Sequence, residues 1–230
     1  MKIFVDAGHR NTQYDFGATN GVFKESEIAL LIAQRVEIKL QDAGIITYMS
    51  RLDEQGHVSV NHRVKRANDL AVDLYLSIHI NSASNHLAHG VETLSYDDKS
   101  LGKAIGDAIV KETNQVRRND LSGKQFAVLR DTKMDAVIVE CGFISNLTEA
   151  KNLKRQDTQD KIATGIVNGI LAHYKIEPPT DDKDDDYTNA INTLIEQGII
   201  TSPDLWLPKT KINVKYVPDL IVKFASKISK

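Results

Sequence analysis

The amino-acid sequence predicts an α/β protein with a mixed, largely parallel twisted sheet flanked by helices, followed by a small, mainly helical C-terminal module. Strand-like apolar runs alternate with segments of helical periodicity from residue 2 to residue 174, which is typical of parallel sheets covered by helices. A proline pair and an acidic run near residue 180 separate this part from the rest. A segment of this size buries about 70% of its unfolded surface, so it can form a core without cross-links.

The elements of the first third follow from local patterns. KIFVDA at 2–7 is a short apolar run closed by a glycine, which predicts a buried strand. Residues 25–43 place aliphatic side chains at helical spacing before a glycine, so they predict a long amphipathic helix. ITYMS at 46–50 predicts the next strand, and the apolar spacing within 59–71 predicts a second helix.

The remaining elements continue the alternation. DLYLSIHI at 73–80 predicts a strand covered on both faces, and 90–96 predicts another strand. Residues 100–116 predict a helix with Ser100 as its N-cap, and AVIVECGFI at 136–144 is the most apolar predicted strand. Two further helices close this part of the chain, at 147–155 and 158–174.

Composition and charge exclude several classes of protein. The 230 residues carry a net charge of −2, whereas nucleic-acid binders usually show a strongly basic footprint. No apolar run approaches the roughly 18 residues of a membrane span, and the first residues lack the long apolar segment of a signal peptide. We therefore expect a protein without membrane insertion that is cytoplasmic until it is released. Cys141 is the only cysteine, so no disulfide forms within the chain.

The sequence predicts three parts: an α/β domain at 1–175, an acidic linker at 176–186 and a small helical module at 187–230. Pro178 and Pro179 stop a helix, and the run DDKDDD that follows them discourages packing.

Chemically reactive side chains stand where three predicted strands end. His9 follows the first strand, His79 lies near the end of DLYLSIHI, and Glu140 lies in the last strand, while Glu25 begins the first helix. Functional groups gather where the carboxyl ends of such strands open into loops. Two imidazoles and one carboxylate from separate elements are the ligand set of a catalytic zinc with an open fourth position. Histidines at strand ends are also often only hydrogen-bonded, so the residues alone leave both interpretations open.

Glu140 is the candidate acid and base. A zinc ion lowers the pKa of its bound water to about 7 and polarises a carbonyl oxygen, which suits the hydrolysis of an unreactive amide. The leaving amine must also be protonated, so a second carboxylate is needed beside the metal. Glu140 is set among Ile138, Val139 and Phe143, where a charge is costly unless it is paired or used.

Four segments resemble the zinc-dependent N-acetylmuramoyl-L-alanine amidases of the amidase-3 type, in the order that is typical of that family. The segments are VDAGH at 5–9, KESEIAL at 24–30, SIHINS at 77–82 and VIVECGFISN at 137–146. The resemblance spans residues 1 to about 174. It implies that His9, Glu25 and His79 bind one Zn²⁺ ion and that Glu140 is the catalytic acid and base.

The resemblance implies an activity and a partner. The activity is hydrolysis, by zinc-activated water, of the amide between the lactyl group of N-acetylmuramic acid and the L-alanine of the stem peptide. The partner is bacterial peptidoglycan, and its cleavage causes cell lysis. Spacing alone leaves two alternatives open, a zinc peptidase acting elsewhere on the stem peptide and a non-catalytic wall-binding protein. A compact enzyme without a signal peptide, joined to a small extra module, resembles a phage endolysin that is released with a holin. The alternative is an autolytic amidase of the host.

The sequence departs from the family pattern around two of these residues. Ser26 and Ala29 stand where charged or amide residues are more common, and nearby Glu27 is a possible rival ligand. Glu27 would point about 200° away from Glu25 around the helix, so Glu25 is preferred. Cys141 replaces a small apolar residue and suggests a thiol mechanism, but strand alternation places it opposite Glu140 and predicts a packing role.

Two further side chains are predicted to bind substrate. Arg130, which ends FAVLR, can bind a carboxylate of the stem peptide or donate a hydrogen bond to the tetrahedral intermediate, with a surface salt bridge as the alternative. Asn81 lies two residues beyond His79 and is predicted to orient a ligand or contact substrate, with capping of a loop as the alternative.

The C-terminal module is predicted to contain a helix from Tyr187 to Gln197 and a second apolar face from Val214 to Phe224. So short a module is near the limit for folding alone, which favours docking or self-association. Its lysines and the single tryptophan, Trp206, suggest wall targeting, and the alternative is that Trp206 packs between the two helices.

Overall fold

The protein is described by a computed structural model at residues 1–10, 15–53, 59–178 and 182–199. The chain divides into two compact units, residues 1–178 and 179–230. Within the described ranges, no helix combines the length and the apolar character that crossing a lipid bilayer requires. The predicted apolar face from Val214 to Phe224 and Trp206 lie outside the described residues.

A six-stranded mixed sheet forms the centre of the first unit. The strands of the described residues are β1 (Lys2–Ala7), β2 (Thr19–Asn20), β3 (Phe23–Lys24), β4 (Ile46–Met49), β5 (Leu74–Asn81), β6 (Val91–Ser95), β7 (Arg117–Ser122) and β8 (Asp135–Phe143). The sheet order is β4-β1-β5-β8-β6-β7, and β2 and β3 form a separate two-stranded ribbon. All neighbours in the sheet are parallel except β6 and β8, which confirms the predicted largely parallel sheet.

Helices cover both faces of this sheet. The described helices of the first unit are α1 (Glu25–Asp42), α2 (Val60–Leu70), α3 (Ser100–Thr113), α4 (Ala127–Arg130), α5 (Leu147–Leu153) and α6 (Gln156–Tyr174), and α7 (Asp182–Glu196) belongs to the second unit. Helices α3 and α6 pack closely at Gly165. A Cβ atom added there would lie only 2.4 Å from the Cα atom of Ile109. The side chain of Asn146 caps α5 by accepting hydrogen bonds from two backbone amides.

Strand alternation divides the unit into two apolar clusters. In β5, Leu74, Leu76 and Ile78 are buried in the larger cluster, which also contains side chains of α1, α3 and α6. Tyr75, on the opposite face of β5, belongs to a smaller cluster with side chains of α2 and α4. Full burial of each such large apolar side chain contributes about 1.5–3 kcal/mol, so the two clusters fix the sheet between its helical layers.

Some elements differ from the prediction. The ribbon β2–β3, the polar strand β7 and the short helix α4 are additional. Ser100 is not the N-cap of α3: the cap is Lys99, and the amide of Ser100 donates to Asp98 Oδ1. Helix α7 begins at Asp182 rather than Tyr187, so most of the acidic run assigned to the linker is helical.

Candidate metal centre and active site

The predicted site residues meet at the carboxyl edge of the sheet. Strands β1, β5 and β8 are parallel neighbours there, and His79 pairs in register with Glu140. These two side chains lie on the same face of the sheet as the smaller apolar cluster, and they line a cavity of about 620 Å³. His9 and Glu25 line the same cavity, so the structure brings together all four residues predicted for the centre.

Glu25 is held in place by backbone groups from two other segments. It is the first residue of α1 and is only 5% exposed. Its Oε2 accepts a hydrogen bond from the amide of Ala18 at 2.8 Å, and its Oε1 accepts one from the amide of Ile80 at 3.1 Å. A carboxylate at a helix N-terminus is also favoured by the helix dipole. The position of this carboxylate is therefore fixed by the fold. Glu27, the rival ligand, instead contacts Lys24 and Lys154.

Both imidazoles point at the same carboxylate oxygen. His79 Nδ1 lies 2.9 Å from Glu25 Oε1, and His9 Nε2 lies 3.3 Å from it. The two rings meet edge to face with their centroids 5.0 Å apart. One ligand atom from each of the three residues falls within 4.8 Å of the others, which is the spacing of a metal site.

Two glycines leave the space that this cluster needs. A Cβ atom on Gly8 would lie 2.5 Å from Cε1 of His79, and one on Gly17 would lie 2.5 Å from Oε2 of Glu25. Gly17 also has a φ of +69°, a conformation that glycine adopts at little cost. At Gly8 and Gly17 the backbone therefore lies so close to the side chains of the cluster that a larger residue would collide with them.

The charges in the cluster are strongly coupled. Burial opposes the charged form of His9, but Glu25 and Asp15 outweigh it and raise its pKa to about 9. Burial likewise opposes a charge on His79, and the contact with Glu25 nevertheless raises the pKa of this imidazole. The two rings in turn hold the pKa of Glu25 far below its usual range, although burial acts in the other direction. The cluster therefore favours added positive charge.

The residues fit a divalent cation. An unprotonated ring nitrogen cannot bond to a carboxylate oxygen, so the observed geometry requires either protons on the rings or a cation between the three groups. Neutral imidazole and carboxylate oxygen are ligands that zinc commonly takes in proteins. Binding of the ion would release the ring protons, which is the usual coupling of metal affinity to pH.

Glu140 differs from the three clustered residues because it lacks a complete set of partners. Its Oε2 is buried and has no hydrogen-bond partner in the described part of the chain. Burial, with smaller contributions from the carboxylates of Glu25 and Glu92, raises its pKa to about 7, while His79 and His9 act in the opposite direction. A carboxyl group with a pKa near neutrality can both accept and return a proton.

A second carboxylate on the same face of the sheet, that of Asp6, accepts hydrogen bonds with both of its oxygens. It is completely buried and accepts hydrogen bonds from Arg63, Tyr75 and Ser77 at 2.6–2.9 Å. Burial would raise the pKa of Asp6, but the Arg63 guanidinium lowers it, with further lowering by His79 and by the Tyr75 hydroxyl. This network ties β1, β5 and α2 together directly beneath the centre.

Sequence reasoning missed two contributors to the site. Asp15 Oδ1 lies 2.7 Å from His9 Nδ1 and so orients that ring, while its other oxygen pairs with Arg10. Glu92 stands opposite Glu140 in the antiparallel pairing of β6 with β8 and is 6% exposed. Asp15 lies only six residues beyond His9, whereas Glu92 reaches the site through the long-range pairing of β6 with β8. No local motif signals either of them.

The remaining predicted residues have other neighbours. Asn81 lines the cavity, but its side chain bonds to Glu92 and to the amide of Ser82. Arg130 lies outside the described lining of the cavity and pairs with Asp131 on the surface. Cys141 is completely buried in the larger apolar cluster, and burial raises the pKa of its thiol well above the usual range. A buried, protonated thiol is unsuited to nucleophilic attack.

The fold and the cluster define a class: an α/β protein with a histidine–glutamate–histidine metal-type centre and an adjacent carboxylic acid in one cavity. Residues 3–172 match the family described as N-acetylmuramoyl-L-alanine amidase (Amidase_3). The chain therefore belongs to the amidase-3 family of N-acetylmuramoyl-L-alanine amidases.

Individual relatives agree with this assignment. N-acetylmuramoyl-L-alanine amidase LytC of Bacillus subtilis (strain 168) is 33% identical over 180 residues, covering 75% of this chain and 35% of LytC. The chain thus spans about a third of the length of that relative. The endolysin of Bacillus phage SPP1 is 31% identical over 177 residues, covering 73% of this chain and 64% of the endolysin. The crystal structure of an N-acetylmuramoyl-L-alanine amidase from Clostridium difficile 630 superposes with a TM-score of 0.71 at 30% identity, covering 76% of this chain and 96% of that one.

Proposed function

We propose that the protein is a metal-dependent peptidoglycan hydrolase that cleaves the amide between the lactyl group of N-acetylmuramic acid and the L-alanine of the stem peptide. The observation that carries the proposal is the placement of Glu140, one of whose carboxylate oxygens has no partner among the described residues, in the same cavity as the His9, Glu25 and His79 cluster. Membership of the amidase family supplies the substrate class.

The residues fit zinc best, and His9, Glu25 and His79 would hold the ion. When bound, it supplies Lewis acidity, which polarises the scissile carbonyl and acidifies water. Asp15 holds the His9 ring in the orientation that directs Nε2 toward the cluster. The two backbone amides that bond Glu25 keep its carboxylate in place.

Glu140 moves the protons. It takes one proton from the attacking water as the water oxygen bonds to the lactyl carbonyl carbon. It then gives this proton to the alanine nitrogen as the carbon–nitrogen bond breaks. The products are a lactyl carboxylic acid and a stem peptide with a free L-alanine amino terminus. A pKa of about 7 suits both halves of this exchange.

Mass spectrometry of digested peptidoglycan tests the proposal. We expect free muramic lactyl groups together with new L-alanine amino termini. New termini at other residues would identify a peptidase, and the absence of products would identify a wall-binding protein. Elemental analysis of the purified protein should find one zinc per chain. Chelation should stop hydrolysis and added Zn²⁺ should restore it, whereas hydrolysis that survives chelation would exclude the metal.

Wall lysis is the proposed biological result. The likeness to both the SPP1 endolysin and the LytC amidase supports release by a phage or use by the host, and a neighbouring holin gene would favour the phage. The C-terminal residues are proposed to target the wall or to pair with another copy. Deleting residues 181–230 should weaken adsorption to cell walls while sparing hydrolysis of small soluble muropeptides, and unchanged adsorption would contradict targeting.

A further inference from the structure

The cavity that contains the metal-type cluster is lined by two chemically different sets of side chains. One set, called the reacting end below, is the cluster with Glu140; the other, called the apolar end, consists of Val60, Phe126, Val128 and Ile138, of which Val128 and Ile138 belong to the smaller apolar cluster. Ile138 lies two residues before Glu140 on the same face of β8, so the apolar end adjoins the reacting end directly. A substrate seated at Glu140 therefore extends over an apolar surface.

Phe126 is the most accessible apolar side chain at this end, at 41% exposure. Its backbone is fixed in a turn, since its amide donates to the carbonyl oxygen of Gly123 and its own carbonyl oxygen accepts from the amides of Leu129 and Arg130. Val128 and Leu129 anchor this turn in the smaller apolar cluster, where they are 7% and 3% exposed. The ring is thus held at the cavity by a rigid support instead of folding into the core.

Neutral polar groups accompany the ring. Asn61 and Gln125 also line the cavity, and their side-chain amides make no hydrogen bond within the described part of the chain. Among the described residues that line the cavity, Arg63 is the only one with a permanent positive charge, and Asp6 already pairs with it. This end therefore offers an aromatic face and neutral hydrogen-bonding groups, and it offers no available cation for a carboxylate.

We propose that this apolar end, with Phe126 as its centre, is the subsite for the N-acetylmuramoyl sugar ring, which packs on the Phe126 side chain. This inference rests on the proposed function. A pyranose ring presents C–H groups that pack on the electron-rich face of an aromatic ring, and its hydroxyl and acetamido groups match free amide side chains. The stem peptide carries carboxylates, which this end cannot pair.

The connectivity of the substrate agrees with this placement. The lactyl group joins the sugar directly to the scissile carbonyl, so a carbonyl held beside Glu140 places the sugar one ether linkage away. The stem peptide leaves the scissile bond on the other side. Phe126 would then contribute to recognition of the glycan and not to the chemical step.

Two substrates with the same scissile amide separate these roles. N-acetylmuramoyl-L-alanyl-D-isoglutamine contains the sugar, and D-lactoyl-L-alanyl-D-isoglutamine lacks it. In the full-length protein, Phe126→Ala should raise KM for the first substrate roughly three- to tenfold at unchanged kcat, which is the size expected for loss of one aromatic contact. The second substrate should be cleaved as the wild type cleaves it. An equal loss on both substrates, or no loss on either, would overturn the proposal.

Tyr96 offers a matched control. It is also an aromatic residue with 41% exposure, but it lies outside the described lining of this cavity. Tyr96→Ala should leave KM for both substrates unchanged. A rise in KM equal to that of Phe126→Ala would show that the effect is unspecific and would overturn the proposal.

A binding measurement keeps this inference separate from the proposed function. Phe126→Trp adds an indole at the cavity and Tyr96→Trp adds one elsewhere, so each variant has two tryptophans including the native Trp206. The disaccharide of N-acetylglucosamine and N-acetylmuramic acid should shift the emission of Phe126→Trp and leave that of Tyr96→Trp unchanged. Loss of hydrolysis with a retained shift would refute the amidase activity alone, while the absence of a specific shift would refute the sugar subsite.

Discussion

Asp6 and Glu140 are two carboxylates on the same face of the sheet, in the two strands that flank β5, yet their surroundings are opposite. Asp6 is level with Ser77 and accepts four hydrogen bonds from three side chains. Glu140 is level with His79, two residues nearer the carboxyl edge, and one of its oxygens has no described partner. The environment lowers the pKa of Asp6 and raises that of Glu140 to about 7.

The difference separates a structural carboxylate from a reactive one. A buried charge is tolerated when donors surround it, and then it stabilises the fold. A buried carboxyl group with an unpaired oxygen costs stability, and such costs are typical of functional sites. If this distinction is correct, replacing Glu140 should affect turnover, and replacing Asp6 should affect stability.

The largest expected effect follows replacement of Glu140. Glu140→Gln keeps the shape of the side chain but cannot transfer protons, so kcat for a soluble muropeptide should fall by about 10²- to 10⁴-fold. The melting temperature should stay the same or rise, because a costly buried carboxyl group has been removed. Activity assays and thermal unfolding of the same preparation check both parts. Retention of more than about a tenth of the activity would remove Glu140 from the proton transfer.

Replacing Asp6 should have the reverse profile. Asp6→Ala leaves the buried Arg63 without its partner, so the free energy of unfolding should fall by about 3–5 kcal/mol in urea titrations. Asp69 offers a control in the same helix as Arg63, because it forms an exposed ion pair with Lys65 at 2.5 Å. Asp69→Ala should cost less than about 1 kcal/mol. Equal costs for the two variants would contradict the structural role of Asp6.

Lowering the pH should weaken the contribution of Asp6 to the free energy of unfolding. Its pKa in the folded protein is lowered, so its stabilising effect is complete above the pKa of an unfolded aspartate, about 3.9, and is lost as the pH falls through the lower folded value. The difference in unfolding free energy between the wild type and Asp6→Asn should therefore be largest near neutrality and should narrow below about pH 4. Urea titrations across this range test the sign. A difference that does not change with pH would show that the Asp6 charge is not the cause.

The smallest effect is expected at Cys141, the neighbour of Glu140 on the opposite face of β8. Cys141→Ser should leave kcat nearly unchanged, because the thiol lies in the larger apolar cluster and away from the cavity. Its cost in stability should be about 1–2 kcal/mol for placing a hydroxyl among apolar groups, since Val139 O can accept its hydrogen bond. A complete loss of hydrolysis would revive the thiol mechanism.

The sequence predicted the parts of the fold that depend on apolar patterning. The strands at β1, β5 and β8 and the long helix α1 have strong local signals, and each lies within two residues of its predicted bounds. Strand β7, with the sequence RRNDLS, was missed because it is a polar edge strand without alternating apolar residues. The ribbon β2–β3 was missed because its strands have only two residues each.

The site was predictable for residues at strand ends and unpredictable for residues that tertiary contacts bring in. His9, His79 and Glu140 stand at the ends of recognisable strands, and parallel pairing explains why they meet. Asp15 has no such signal because it follows β1 outside any apolar pattern, although it is only six residues from His9, and Glu92 has none because its role depends on the pairing of β6 with β8. Arg130 stood out in its motif, but its short helix directs it to Asp131 and away from the cavity.

The alternation within β5 also has a consequence for folding accuracy. Leu76 and Ile78 face the larger cluster while Ser77 and His79 face the other side, so shifting this strand by one position would exchange the two sets. A mispaired copy would bury an imidazole among aliphatic side chains and expose isoleucine where the ligand belongs. Such a chain would lose both its stability and its ligand set. Protein that is folded but inactive because of a register shift should therefore be scarce.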